Sequence, residues 1–333
     1  MTVNEKIIIH SLGDSFRKCT RIVEERLPQP APHEIRVRNH FAGVNGVYDQ
    51  MMCLDRVEHT RVVPPADTGV EAVGIVDAAG DDVDSVAVGD AVAVVNVGHA
   101  YRRWQNCDAA LAIPVAEPTP RVLALIPSGV SALIALERVA EMTSDETVCI
   151  TAAAGGLGNV MTQLAVNAGN GVIAICGSDE KADALSRFGV ARIIQYRREP
   201  VEAVIADEYG DRLDIVMDSV GGSMFDCLVA NLAPFGRLVI CGFTSDRLPT
   251  EVVQQERIYT RLYWKAASVR GFMNYRFARY AADARRRLLA MFARGEIVPL
   301  VDPTPFHGLG AVADAVEYLL TGANVGKVVV DLR

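Results

Sequence analysis

Apolar and polar positions along the first 122 residues change places over short distances. Ile7 to His10, Cys19 to Glu24 and Glu34 to Phe41 alternate or run apolar, with breakers such as Pro28, Pro30 and Pro32 between the last two. GVEAVGIVDAAG, from Gly69, is a further strand ended by glycine, and VAVGDAVAVV (86–95) turns at Gly89-Asp90. Short strands at close spacing predict a compact antiparallel, barrel-like domain. From about residue 123 the period lengthens. Gly129 to Met142 reads as a helix, Thr147 to Thr151 as a buried parallel strand, and Val172 to Cys176 as its neighbour. Ala191–Gln195, Asp214–Met217 and Arg237–Cys241 add three more strands, which predicts repeated βα units and a doubly wound parallel sheet. Tyr280 to Arg294 is an amphipathic helix and Gly326 to Leu332 a closing strand. The chain divides into a nucleotide-type domain at 123–264 and a first domain at 1–122 to which residues 265–333 return.

Between the first two parallel strands lies AAAGGLG (152–158), followed by a helix with Val160, Leu164, Ala165 and Ala168 on its apolar positions. Strand, glycine turn, helix, strand is the unit that holds a pyrophosphate at the positive end of a helix. Gly155 lets the backbone approach phosphate and Gly158 lets the helix pack close to the strand, although the first fingerprint position is Ala153. The competing reading is a tight βα turn with no ligand. The second strand ends Cys176-Gly177-Ser178, with Lys181 one turn into the next helix. A carboxylate there would accept from ribose hydroxyls and repel a 2′-phosphate, whereas a hydroxyl and an ammonium attract it, so the pattern favours NADP(H). Asp179 and Glu180 pull the other way and also suit the first turn behind an N-cap Ser178.

Composition narrows the partners. Lysines and arginines number 33 against 41 acids, a net charge of −8, which disfavours nucleic acid or an anionic membrane. Arg285, Arg286 and Arg287 read as a solvated helix face. Seven scattered cysteines (19, 53, 107, 149, 176, 227, 241) without a CxxC pair suit reduced thiols and a cytoplasmic protein. The start MTVNEKIIIH lacks a signal-peptide core, and no run reads as long enough to span a membrane.

Taken together, GVN (43–45), TGVEAVG (68–74), AAAGGLG (152–158), CGS..K (176–181), DSVGG (218–222), APFGRLVICGF (233–243) and GKVVV (326–330) resemble the medium-chain dehydrogenase/reductases over the full length of the chain. The likeness lies with the zinc-independent branch of quinone oxidoreductases, enoyl reductases and prostaglandin reductases. Where zinc members carry Gly-His-Glu, this chain has Gly69-Val70-Glu71, and the cysteine-rich structural zinc loop is missing. None of the histidines at 10, 33, 40, 59, 99 and 307 has paired-ligand spacing, so no zinc shell can be assembled. The resemblance implies a β-rich GroES-like barrel domain plus a Rossmann domain, an α/β fold.

It also implies roles by position. Ala154, Gly155, Gly156, Leu157 and Gly158 would hold the pyrophosphate, with Gly177, Ser178, Lys181 and Tyr196 at the 2′-phosphate. Ser219, Cys241, Gly242 and Phe243 would line the cofactor. Phe272, Met273 and Asn274 would border the nicotinamide, Asn45 its ribose, and Ser131 and Asn324 would lie close by. In RGFMNYRF (270–277), Tyr275 corresponds to a tyrosine beside the nicotinamide and the substrate carbonyl. Tyr48, three residues after Asn45, is a second donor or a packing residue, and Glu71 is expected to order its turn. The implied reaction is hydride transfer from NADPH to the β-carbon of an enone, enal or enoyl thioester, with tyrosine-assisted enolate stabilisation. An NADPH:quinone oxidoreductase and a non-catalytic NADPH-binding protein are the alternatives. Arg102 and Arg103 offer a basic patch for an acyl-CoA, and relatives commonly form homodimers through the edge of the nucleotide sheet, near RLVICGF.

Overall fold

The computed structural model describes residues 3–245 and 257–333. The chain forms two compact units, Met1–Pro127 with Val301–Arg333, and Ser128–Leu300.

The two sheets of the first unit pair their strands antiparallel. A small sheet has the order β2 (Thr20–Arg26), β1 (Val3–Ile9), β4 (Ala66–Asp67). In the larger sheet the C-terminal strand Val329–Asp331 lies beside β3 (Glu34–Gly43), followed by β5 (Glu71–Ala79), β6 (Ala91–Val95) and β8 (Ala112–Pro114). Strand β7 (Trp104–Asp108) also pairs with β3. Alternate residues Ile35 and Val37 of β3 meet Val92 and Val94 of β6 in one core, as a period of two requires. Helices α1 (Phe16–Cys19) and α2 (Gly46–Cys53) cover a second core around Ile9, Val44 and Tyr101, which the C-terminal helix Val312–Leu320 completes. The predicted turn is present: Gly89 adopts φ +97° and Asp90 accepts from the Ala87 N–H.

The second unit is a six-stranded parallel sheet of order β11-β10-β9-β12-β13-β14. Its strands are β9 (Thr147–Ile150), β10 (Gly171–Cys176), β11 (Arg192–Gln195), β12 (Leu213–Asp218), β13 (Leu232–Ile240) and β14 (Ser268–Gly271). Val148, Cys149, Ile150 and Val172 to Cys176 are all buried, so these runs are apolar on both faces, as helix-covered strands must be. The order reverses between β9 and β12, the switch point where open α/β sheets bind ligands.

Three expectations need correction. Residues 265–300 belong to the second unit, because β14 is the sixth strand of its sheet and Val298 and Leu300 are tied to Gln163 and Asn159. Helix α3 begins at Pro120, not Gly129, and runs to Ile134 with Pro127 inside it, before a π-helical turn at Ala135–Val139. Pro127 looks like a breaker in sequence, yet Val122 to Ile126 ahead of it are buried and hold the turn against the missing N–H. The run Pro120–Val139 is also long and apolar enough by length and composition to cross a membrane, contrary to the sequence reading. It is 67% buried in the protein, as a core helix is.

Candidate functional site

The glycine turn follows β9. A Cβ on Gly158 would overlap the Ala152 carbonyl and stand 2.8 Å from Ala153 Cα, so helix α4 (Gly158–Asn167) reaches its place only with glycine at its first position. Gly155 has more room, its Cβ position lying 3.1 Å from the Ala152 oxygen. Fully buried Asn159 donates from Nδ2 to the carbonyls of Gly155 (2.7 Å) and Gly156 (3.0 Å) and accepts the Leu300 N–H at 2.9 Å. The turn's carbonyls are thereby engaged within the protein. Leu157, at the cap position, contributes no side-chain hydrogen bond, so no capping side chain competes with an anion at the start of α4, where the Asn159 N–H donates to the Gly155 carbonyl. Ala154 is buried beneath. Sequence reading missed Asn159, for which the only signal was an amide directly after GLG.

At the ends of β10 and β11 the parallel pairing Cys176↔Gln195 brings the predicted phosphate group together. A Cβ on Gly177 would stand 2.5 Å from the Tyr196 hydroxyl, so that ring closes on the glycine. Ser178 caps α5 (Asp179–Ser186), accepting the Lys181 N–H. Arg198 is ion-paired with Asp179, and Arg197 lies 5.9 Å over the Tyr196 ring. Both arginines escaped the sequence reading, and one of them neutralises the acid that had argued against a 2′-phosphate. Glu180 stays exposed.

Buried Asp218 ties three strand ends together. Thr151 Oγ1 donates to its carboxylate at 2.8 Å, the N–H groups of Val220 and Gly221 donate to it as well, and its carbonyl accepts from Cys241 and Gly242. The Ser219 N–H donates back to Thr151 Oγ1 (2.8 Å), and Thr244 donates to the Ser219 carbonyl. Ser219 and Cys241–Phe243 thus form one wall. Burial pushes the Cys241 thiol up to about 12, which keeps it protonated at neutral pH. The Phe272 N–H donates to the Ile240 carbonyl, placing Phe272, Met273 and Asn274 just beyond β14. Tyr275, 40% exposed, is the second residue of the 3₁₀ segment Asn274–Tyr280, with the Arg276 guanidinium 4.8 Å from its ring centre. Ser131 sits half-buried on α3.

The first unit holds the remaining candidates. Asn45 closes β3 and precedes α2. Its Nδ2 donates to Glu71 Oε2 (2.8 Å) and its Oδ1 accepts from Lys327 Nζ (2.9 Å). Lys327 and Glu71 form an ion pair at 2.5 Å, both nearly fully buried. Glu71 therefore anchors a charged cluster, which is more than ordering a turn, and Lys327 went unread inside GKVVV. Asp49 accepts from the Tyr101 hydroxyl (2.7 Å) and the Asn45 N–H (3.1 Å). Burial pushes its carboxyl up to about 6, against the pull of those two donors. Half-buried Tyr48 approaches His59 Nε2 at 3.3 Å, stacks on that ring, and lines a small cavity with Asp49, Met52 and Thr68. Burial, then the Asp49 charge, raises its phenol above the ordinary range. Asn324 is buried, donating to the Gly326 carbonyl one residue before Lys327. The proposed acyl-CoA patch is not built: Arg102 is buried against Glu25 and Asp67, and Arg103 pairs with Glu5.

Comparison with known proteins agrees with this division. Residues 31–118 match the alcohol dehydrogenase GroES-like domain and residues 156–290 a domain described as zinc-binding dehydrogenase. Among the described residues no group of three or more His, Cys, Asp or Glu could hold a metal ion. The chain is 38% identical to prostaglandin reductase-3 of Mus musculus, covering 98% of this chain and 89% of the relative. It is 34% identical to a probable quinone oxidoreductase of Leishmania amazonensis, over 99% and 98%. The Escherichia coli quinone oxidoreductase complexed with NADPH superposes with a TM-score of 0.84 at 25% identity, over 98% and 99% of the two chains.

Proposed function

This chain belongs to the zinc-independent branch of the medium-chain dehydrogenase/reductase family, and on that premise we propose that it is an NADPH-dependent reductase of α,β-unsaturated carbonyl compounds. The observation that carries the cofactor assignment is the pair of anion cradles in the second unit. One is the start of α4, where only glycine fits and no capping side chain stands in the way of a ligand. The other is the grouping of Ser178, Lys181, Tyr196 and Arg197, with Asp179 neutralised by Arg198. The first suits a pyrophosphate and the second a 2′-phosphate. Bound NADPH supplies hydride to the β-carbon of the conjugated carbonyl.

The chain's own residues handle charge and protons. Negative charge develops on the carbonyl oxygen as the alkene is reduced, and Tyr275 donates a hydrogen bond to it; a donor so placed is worth about 10²–10³ in turnover. Asn45 holds the cofactor ribose. The α-carbon takes its proton from water or from Tyr48, whose phenol stays protonated at neutral pH. A quinone is the second reading, supported by the name of the 34%-identical relative.

NADPH oxidation with a simple enone, with the product weighed by mass spectrometry, tests the proposal. A gain of two hydrogens on the organic product supports alkene reduction, and a quinol from a quinone with no enone turnover would transfer the assignment to the second reading. Tyr275→Phe should lower kcat about a hundredfold and leave NADPH affinity within about twofold; an unchanged kcat removes Tyr275 from the mechanism. β14 ends its sheet among the described residues, and pairing it with a second copy's β14 makes the working unit a homodimer. A monomeric mass in solution refutes that. All seven cysteines are free thiols, which suits work in the reducing cytoplasm.

A further inference from the structure

We infer that Lys327 and Glu71 are positioning residues that lock the side-chain amide of Asn45 in a single orientation for its cofactor contact. The inference rests on the reading of this protein as an NADPH-binding reductase and deepens it at one residue.

An asparagine amide has two ends of nearly the same shape, one a donor and the other an acceptor, and a half-turn exchanges them. In most settings that half-turn costs little. Here Nδ2 faces the Glu71 carboxylate at 2.8 Å and Oδ1 faces the Lys327 ammonium at 2.9 Å. Turning the amide over would set donor against ammonium and acceptor against carboxylate, losing two charge-assisted bonds and creating two like contacts. With one N–H and one oxygen lone pair consumed, Asn45 is left one N–H and one lone pair at fixed places.

The fold builds this lock from three distant segments. In the larger sheet Gly43 is paired with Glu71 on one side and with Val329 on the other. The strand order thus brings the residue after Val44, the first residue of β5 and the residue two before Val329 to the same sheet end. Gly43 itself is required: a Cβ there would overlap the Glu71 carboxylate. Such a pair is costly to bury, because neither charge has water. A purely structural purpose is served as well by two apolar side chains of similar volume; orienting an amide is not.

The test is a thermodynamic cycle on NADPH affinity, measured by fluorescence titration of the full-length protein. Asn45→Ala is one arm, the neutral near-isosteric pair Glu71→Gln with Lys327→Met the second, and all three changes together the third. Each of the first two should weaken NADPH about tenfold, and the triple variant should be no weaker than either, since the pair acts only through Asn45. KM for NADPH should rise while kcat at saturating NADPH changes less than about threefold, a split that general loosening of the fold would not produce. If the double variant does not fold, Glu71→Gln alone carries the test: it removes one of the two charges that fix Asn45, so a smaller loss of NADPH affinity is expected, and that loss should vanish in the Asn45→Ala background. Wild-type affinity in the pair variant, or losses that multiply in the triple variant, would overturn the inference. Wild-type protein that binds no NADPH overturns the proposed function as well, and the wild-type titration separates the two failures.

Discussion

The turn at residues 152–158 and the Asn45–Glu71–Lys327 cluster both present polar groups at the end of a sheet, one through backbone and the other through charge. In the turn, the proposed recognition would rest on backbone, and the side chains mostly keep out of the way; Gly158 contributes by having none. Asn159 assists from within by absorbing the carbonyls of Gly155 and Gly156. In the cluster, two opposite charges are taken out of water and held against an amide, with a third ionisable group, Asp49, beside them. A backbone cradle is cheap to build, rigid and indifferent to pH. A buried charge cluster is specific in orientation, but every member depends on the others.

That difference can be broken from either side. The largest effect belongs to Lys327→Met alone, which leaves the Glu71 carboxylate buried without its cation. Urea unfolding should show a loss of about 3–5 kcal/mol, and Lys327→Met with Glu71→Gln should recover most of it. A single variant as stable as the wild type would mean that the pair is solvated in practice.

Asp49 gives the next largest effect, and its sign is opposite to that of an ordinary ion-paired acid. Its folded-state carboxyl stands at about 6 against 3.8 when unperturbed, so between these values the native state binds more protons than the unfolded one. Native stability contributed by Asp49 therefore falls as pH rises from about 4 to about 6, by about 3 kcal/mol in all. Asp49→Asn keeps an acceptor for Tyr101 and removes the charge. Between urea melts at pH 4.5 and 7 its stability relative to the wild type should climb by about 2 kcal/mol of that total. A difference that does not vary with pH would show that Asp49 ionises normally.

On the backbone side, Gly158→Ala should cost roughly 2 kcal/mol in thermal or urea unfolding and abolish NADPH binding, because the intruding carbon meets main chain that cannot yield. No pH dependence should accompany it. The smallest effect is at the 2′-phosphate: Lys181→Ala should weaken NADPH about tenfold, roughly 1.4 kcal/mol, and leave NADH unchanged. Equal losses for both cofactors would place Lys181 elsewhere on the nucleotide.

Local patterns were sufficient for much of this. The alternation in β3 and β6, the buried runs of β9 and β10 and the strand–glycine–helix order at 147–167 each depend on neighbours within a dozen residues, so the two fold types and the glycine turn were legible. The serine cap of α5 was legible for the same reason. Where burial overrides a local rule, legibility failed: Pro127 looks like a stop and lies inside a helix, and the segment at 265–300 looks like a return when it supplies the sixth strand.

What the amino-acid sequence by itself determined, then, is the two fold types and the glycine turn, whose shape is carried by backbone near it in the chain. The tertiary structure alone decided which side chains share a charge environment. Lys327 and Asn45 are 282 positions apart and meet through a 2.9 Å hydrogen bond only because an antiparallel sheet sets the C-terminal strand beside β3. Arg198 cancels Asp179 because α5 and the end of β11 are brought together by a parallel pairing. Charge acts through space, and spacing in the chain carries no record of it until the sheets are assembled.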